Sequence, residues 1–137
     1  MKLSNLFVVT ILTAFLFITG CWPKAANKDL IVNKWKFTEI SGTDAAQIPD
    51  SMKAKMIATA IMEFKKDGSY EQSGGMRKEI QKGTYSLSDD GKTLYSTENG
   101  TSYTDTVIVL ELSKDKFVVT PKTKDNGQNL LLTMKPK

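Results

Sequence analysis

The sequence predicts an all-β domain of eight antiparallel strands arranged as an up-and-down barrel, with one short helix between strands 1 and 2. Turn signals recur along the chain, and the segments between them alternate apolar with polar residues, which is typical of half-buried strands joined by hairpins. Eight such strands can close into a barrel or stack as two sheets, and closure removes the exposed edges that invite aggregation. The turn signals are Asp67-Gly68, Gly74-Gly75, Asp90-Gly91, Asn99-Gly100, Lys114-Asp115 and Asn126-Gly127.

The strands are expected where alternating segments lie between these turns. The first is expected from Leu30 to Ile40, with Trp35, Phe37 and Glu39 on one face. Seven more are expected near residues 60–66, 69–74, 78–88, 92–98, 102–112, 116–122 and 129–135. Apolar residues at every second position predict the face that points into the barrel. They are Met62 and Phe64; Gly83, Tyr85 and Leu87; Ile108, Leu110 and Leu112; Phe117 and Val119; and Leu130, Leu132 and Met134.

Residues 44–60 contain the one expected helix. Pro49 suits the start of a helix, and Asp50 and Ser51 suit its first turn. Apolar residues then recur at helical spacing, namely Ile48, Met52, Met56, Ile57 and Ala60. The helix is expected either to cover one end of the sheet or to form a lid over a cavity, in which case adaptable methionine side chains such as Met56 face a ligand.

The N-terminus resembles a bacterial lipoprotein signal. Leu6 to Ile18 carries no charge and is too short for a membrane-spanning helix, which needs about 20 apolar residues. Ile18, Thr19 and Gly20 then precede Cys21, the only cysteine, in the order of a lipobox. The resemblance implies cleavage between Gly20 and Cys21 and acylation of Cys21. Two or three acyl chains anchor a protein stably without a spanning helix.

The predicted domain organisation follows from this signal. Residues 1–20 are expected to be a cleaved signal peptide, residues 21–29 a lipidated, extended tether, and residues 30–137 the barrel. The expected partner at the N-terminus is a lipid membrane, reached through acylated Cys21. Surface-exported lipoproteins of the Bacteroidetes type carry clustered acidic residues just after the cysteine, whereas Asp29 stands alone here. The expected location is therefore the outer membrane, on its periplasmic face.

The composition argues against several functional classes. The chain has no histidine and one cysteine, which excludes serine–histidine and cysteine–histidine catalysis and histidine-ligated zinc. Acidic residues fall mostly in turns or beside lysines, so neither a catalytic pair nor a metal site is expected. The formal net charge of +4 is spread along the chain, whereas nucleic-acid binding requires a concentrated basic stripe. We therefore expect no enzyme activity, no cofactor and no nucleic-acid partner.

Four phrases of the sequence resemble the lipocalin-like domains of small bacterial lipoproteins, chiefly of the Bacteroidetes type. They are the segments at 33–37 (NKWKF), 62–70 (MEFKKDGSY), 83–94 (GTYSLSDDGKTL) and 110–119 (LELSKDKFVV). The resemblance spans about residues 30–135. It implies an eight-stranded lipocalin-like barrel with a helix between the first two strands, and its motifs are turns and core positions. Asn33 stands where true lipocalins have glycine, and no arginine lies near the C-terminal strand to stack on Trp35.

Two functions remain open from the sequence. The first is binding of a small apolar or amphipathic ligand inside the barrel, since an eight-stranded barrel can hold one small ligand or be filled by its own side chains. Candidate lining residues are Trp35, Phe37, Met56, Phe64, Tyr85, Leu110 and Phe117. The alternative is a solid barrel that binds an unknown protein partner through its loops, as an envelope interaction protein or an inhibitor-type scaffold. The exposed turns at 74–77 and 99–103 are the candidates for that role.

Overall fold

The computed structural model describes residues 25–122 and 129–137, which form one closed antiparallel barrel. Each strand pairs with the next one in sequence, and the last strand pairs with the first. The strands are β1 Lys34–Ser41, β2 Ile61–Phe64, β3 Ser69–Ser73, β4 Gln81–Leu87, β5 Thr93–Glu98, β6 Thr104–Leu112, β7 Phe117–Pro121 and β8 Leu131–Pro136. The predicted fold class is confirmed, as are the number and order of the strands.

Turns form at Asp67-Gly68, Asp90-Gly91, Asn99-Gly100 and Lys114-Asp115 as predicted, whereas Gly74-Gly75 begins a longer loop and Asn126-Gly127 lies outside the described residues. Gly68 has a φ of 84°, in the left-handed region that glycine adopts without steric cost. The carboxylate of the preceding Asp67 accepts hydrogen bonds from the backbone N–H and the hydroxyl of Ser69, at 2.9 and 2.6 Å. These two bonds hold the pKa of the Asp67 carboxyl below its ordinary value, because they stabilise the charged form. The β2–β3 turn is thus fixed by local side-chain chemistry.

The segment before β1 is a correction. A tether extended to Asp29 and a strand from Leu30 are expected, but the structure has a helix, α1, at Ala25–Ile31, and β1 begins at Lys34. Ile31 is buried, and its carbonyl oxygen accepts a 2.9 Å hydrogen bond from Nε1 of Trp35. Helices this short are marginal on their own. Docking onto the end of the barrel therefore stabilises α1, which is a contact that local sequence does not encode.

The predicted helix at 44–60 is split in two. A 3₁₀ helix occupies Thr43–Gln47, and α2 runs from Asp50 to Thr59. Ile48 is extended, as steric contact with a following proline favours, and Pro49 starts α2 as predicted. Asp50 forms no capping hydrogen bond at that start and instead forms a 2.8 Å ion pair with Lys53. No residue of α2 is fully buried, so the helix covers the barrel loosely.

Two register shifts change which residues point inward. The first lies between Phe37 and Glu39 on β1, and it turns Glu39 outward and buries Ile40. The second lies between Val109 and Glu111 on β6. Val109 is consequently buried in the core, whereas Leu110 is 37% exposed. The predicted inward positions of Glu39, Ile108 and Leu110 are wrong, because a bulge adds a residue to one strand and resets the alternation.

Candidate functional site

The two ends of the barrel differ in how they are closed. One end carries α1 together with the β2–β3, β4–β5 and β6–β7 turns, and we call it the closed end. Ile31 packs against the core there and is only 1% exposed. Nζ of Lys28 lies 4.0 Å from Oδ1 of Asp89 in the β4–β5 turn. The other end carries α2 and the β3–β4 and β5–β6 loops, and we call it the mouth.

The half of the barrel next to the closed end is solid. Four aromatic residues that the sequence predicts as ligand contacts pack against each other there and are at most 5% exposed, namely Trp35, Phe37, Phe64 and Phe117. The rings of Trp35 and Phe117 have centroids 5.3 Å apart, and Phe64 meets the edge of Phe117 at 6.2 Å. Such tilted contacts stabilise a core beyond the area they bury. The structure places these four residues in the packed core.

The remaining predicted contacts are not brought together. Tyr85 packs edge-on to Phe64 at 4.8 Å, and its hydroxyl donates a 2.8 Å hydrogen bond to the carbonyl oxygen of Lys65. It also lines a smaller cavity of about 310 Å³ between α1, the β2–β3 turn and β4, outside the core of four aromatic residues. Met56 is half-buried on α2, and Leu110 lies on the outer face. Gly20 and Cys21, the predicted cleavage and lipidation site, lie outside the described residues.

The mouth opens into a cavity of about 570 Å³, which we call the mouth cavity. Its volume falls within the range of about 300–1,000 Å³ that is typical of small-molecule sites. The floor is formed by the buried ring of Tyr70 with three apolar residues, Met62, Val107 and Pro121. The solid aromatic core lies below this floor.

The walls of the mouth cavity are polar. The strand register brings their residues side by side: Gln72 lies opposite Gln81, and Ser96 lies opposite Asp105. Glu98 lies opposite Gly83, two positions from Gln81 on β4. Each of these side chains continues an inward stripe that is apolar nearer the closed end, as in Leu94, Ser96, Glu98 on β5. The inward face therefore changes from apolar to polar along the barrel.

Charged residues of both signs ring this cavity, namely Arg77, Glu98, Asp105 and Lys122. Glu98 Oε1 accepts a 2.9 Å hydrogen bond from Nε2 of Gln81. Within the described parts of the chain, neither Glu98 nor Asp105 forms an ion pair. The loop that carries Arg77 is held at its base, because the backbone N–H of Gly75 donates a 2.8 Å bond to Oγ1 of Thr59 at the end of α2.

The environment of Tyr70 shows how these charges are placed around the cavity floor. Burial is the main cause that raises the pKa of the Tyr70 hydroxyl above its ordinary value. The carboxylates of Glu98 and Asp105 raise it further, and Arg77 opposes them. The Tyr70 hydroxyl is thus a neutral donor and acceptor at neutral pH, placed within the field of both signs of charge.

Gly83 makes room for the Tyr70 ring. A Cβ atom at this position would lie 2.7 Å from Cε1 of Tyr70 and 2.1 Å from the carbonyl oxygen of Thr97. Both separations are well inside contact distance, so only glycine fits. The absent side chain lets the ring lie against the strand and form the cavity floor.

Sequence reasoning missed the residues that line the mouth cavity. From the sequence alone, a polar residue that points into a cavity cannot be distinguished from a polar residue that faces solvent. The available signal was spacing: Gln72, Gln81 and Glu98 each lie an even number of residues from a buried position on the same strand, namely Tyr70, Gly83 and Leu94. Polar ends on several adjacent inward stripes indicate a wet cavity at one end of the barrel.

The described residues contain neither a metal-binding cluster nor a membrane-spanning helix. Across residues 25–122 and 129–137, no group of three or more acidic, cysteine or histidine side chains is placed to hold a metal ion. No helix in that part of the chain is long and apolar enough to cross a membrane.

The fold is similar to a known structure of unestablished function. A DUF4847-family protein from Bacteroides vulgatus superposes with a TM-score of 0.55 at 13% sequence identity, over 80% of this chain and 96% of that chain. No protein-family model matches the sequence, and no curated protein matches it. At this identity the similarity establishes the barrel fold alone.

Proposed function

We propose that this chain is a membrane-anchored lipoprotein whose lipocalin-like barrel binds a small polar or amphipathic ligand in the mouth cavity. The observation that carries the proposal is an open, polar-walled cavity of about 570 Å³ above a solid aromatic core. We propose a ligand with polar groups and not a purely apolar one, because the aromatic residues expected to contact an apolar ligand are already packed against each other.

The polar walls of the mouth cavity support a role in binding, because apolar residues at the same inward positions would stabilise the barrel better. Protein interiors pack as densely as organic crystals, and core positions filled by apolar residues stabilise a fold best. Gln72, Ser96 and Glu98 occupy inward positions without filling the space between them. Positions that break the local rules of stability are where functional sites are expected.

The anchor is proposed from the sequence, with cleavage after Gly20 and acylation of Cys21. The position of α1 supports a defined orientation. Only three residues lie between Cys21 and Ala25, the first residue of α1, so the Cα atoms of Cys21 and Ala25 are at most about 14 Å apart in any conformation. Because α1 lies at the closed end, the closed end is held next to the membrane and the mouth opens away from it. A ligand then reaches the cavity from the aqueous side.

A second candidate function is docking of a protein partner at the rim of the mouth. Met76 and Ile80 of the β3–β4 loop are 51% and 58% exposed. Ile80 lines a shallow groove of about 380 Å³ that runs from Arg77 to Gln81 and reaches Glu98, and Met76 directly precedes Arg77 in the same loop. Exposed apolar side chains beside charged ones are typical of loops that recognise a partner. A closed barrel holds such loops rigidly.

Native mass spectrometry of the mature lipoprotein, released gently from its membrane, tests ligand binding. We expect a bound small molecule that is lost in Ser96→Trp, because the indole projects into the mouth cavity and takes up space that the ligand needs. Thr84→Trp is the matched control: Thr84 is exposed on the outer face of the neighbouring strand, so this variant should keep the ligand. A folded wild-type protein that carries no ligand, or a ligand that survives Ser96→Trp, contradicts the proposal.

A further inference from the structure

We infer that the ligand of the mouth cavity is a neutral saccharide, whose hydroxyl groups bond to Gln81, Glu98 and Asp105 and whose ring packs against Tyr103. The inference rests on the proposed function and specifies the chemistry of the same site. Three properties of the mouth cavity lead to it: its hydrogen-bonding groups, its charge balance and the aromatic ring at its edge.

The first property is a mixture of donors and acceptors that the protein leaves available. The described residues form one hydrogen bond between two lining side chains, from Gln81 to Glu98. The amide of Gln72, the hydroxyl of Ser96 and the phenol of Tyr70 also face the cavity. Hydroxyl groups both donate and accept, so a polyhydroxylated ligand matches such a wall at many points. An apolar ligand would leave these groups desolvated and unpaired, which costs free energy.

The second property is the balance of charge. The cations of Arg77 and Lys122 formally cancel the carboxylates of Glu98 and Asp105. In strand order around the rim, Glu98 and Asp105 lie next to each other and are flanked by Arg77 and Lys122. A ligand that spans the cavity therefore meets charges of both signs, which formally sum to zero. This arrangement favours a ligand without net charge, whose hydroxyl groups accept from cations and donate to carboxylates.

The third property is the ring of Tyr103, which is 71% exposed on the β5–β6 loop and lines the edge of the mouth cavity. A tyrosine offers a flat apolar face with a polar tip. The face of a sugar ring exposes C–H groups, and the edge of the ring carries hydroxyl groups. Such a ring can pack on Tyr103 while its hydroxyl groups reach Glu98 and Asp105.

Calorimetric titration of the mature lipoprotein in nanodiscs tests the inference. The probes are maltose, cellobiose and N-acetylglucosamine as neutral saccharides, glucosamine and glucuronate as charged sugars, and palmitate as an apolar ligand. We expect saturable binding of at least one neutral saccharide. Its affinity should be little changed by salt, because screening acts on charged ligands.

Matched variants locate the binding. We expect Glu98→Gln to weaken saccharide binding by about tenfold, because it removes a charged hydrogen-bond acceptor. Tyr103→Ala should weaken it by a similar factor. Glu111→Gln and Tyr95→Ala change the same residue types outside the mouth cavity and should leave the affinity unchanged.

The outcomes separate the inference from the proposed function. If palmitate or a charged sugar binds in the mouth cavity and no neutral saccharide does, the cavity is a ligand site and the saccharide inference is wrong. If a neutral saccharide binds equally well to Glu98→Gln and Tyr103→Ala, the assigned contacts are wrong. If no probe binds and native mass spectrometry finds no ligand, the inference and the proposed function fail together.

Discussion

Gly83 is the residue on which the shape of the mouth cavity depends most directly. Alanine at this position would place its Cβ against the Thr97 carbonyl and the Tyr70 ring. We expect Gly83→Ala to lower the free energy of unfolding by about 1–3 kcal/mol or more, as overpacking does. Gly100 has a φ of 83° but open space around it, so Gly100→Ala should cost only about 1 kcal/mol of backbone strain. Urea unfolding measures both, and equal losses would contradict this account of Gly83.

The burial of Tyr70 and Tyr85 predicts how the stability of the protein changes at alkaline pH. Burial raises the pKa of both hydroxyls above the ordinary value of about 10. The folded protein therefore keeps these protons at a pH where the unfolded chain loses them. The stability that the two raised pKa values contribute is fully present below a pH of about 10. It is lost as the pH rises from there through the pKa of the folded state.

The test is urea unfolding at a series of alkaline pH values. We expect the decline in stability with pH to be shallower in Tyr70→Phe than in the wild type. Tyr95→Phe, on the exposed outer face of β5, is the control and should keep the slope of the wild type. A decline that is unchanged in Tyr70→Phe would show that this hydroxyl is not responsible.

Residue-level prediction from sequence succeeds for the apolar half of the barrel and fails for the polar half. Trp35, Phe37, Phe64 and Phe117 are predicted to point inward, and they do. Alternation reports which face a residue takes, but it does not report whether space remains beside it. Packing against neighbours distant in sequence decides between a core and a cavity, which is why the same four residues were also candidates for ligand contacts.

The bulge on β6 is the element that most changes the interpretation of the sequence. It places Val109 in the core and Leu110 on the outside. We expect Val109→Ala to lower the free energy of unfolding by about 2 kcal/mol, through lost burial and the cavity left behind. Leu110→Ala should change it by less than about 0.5 kcal/mol. Chemical denaturation measures both losses. A larger loss in Leu110→Ala than in Val109→Ala would indicate that Leu110 points into the barrel, as the sequence predicts.

α1 is the element that closes the barrel next to the proposed anchor. Ile31 is almost fully buried, and its carbonyl accepts the Trp35 indole hydrogen bond. We expect Ile31→Ala to destabilise the protein by about 2–5 kcal/mol, as for other large-to-small core substitutions. Hydrogen exchange should also show faster exchange of the Trp35 indole proton. A loss below about 0.5 kcal/mol would mean that α1 is not part of the core.

The elements divide by the range of the interactions that form them. Hairpins were predictable because Asp-Gly and Asn-Gly turns act over a few residues. The helix start at Pro49 is equally local. The bulges and α1 were not predictable, because a bulge depends on the register of the partner strand and α1 depends on docking to β1. The polar stripe toward the mouth emerges only when several strands are aligned.

For the whole molecule, the proposed anchor and the position of α1 together predict how the barrel stands on a membrane. Strand β4 alone spans about 20 Å from the closed end toward the mouth, at about 3.3 Å per residue. The residues between Cys21 and α1 are too few to bring the mouth to the lipid surface. The solid half of the barrel would then face the membrane, and the cavity would face water.

Fluorescent labels test this orientation. With the acylated protein in vesicles that contain a quencher in the lipid, we expect strong quenching of a label at position 89 in the β4–β5 turn. A label at position 103 in the β5–β6 loop should be quenched weakly. Equal quenching at both positions would contradict the orientation.

The proposal that the mouth cavity is the binding site underlies the saccharide inference. Its most direct test is amide chemical-shift mapping of the isotope-labelled mature protein, titrated with the water-soluble, low-molecular-mass fraction of cells that make it. The account predicts saturable shifts at the mouth ends of β3 to β7, including Gln72, Gln81, Glu98 and Asp105. Shifts confined to the closed end around α1 and Tyr85, or none at saturating concentration, would contradict it.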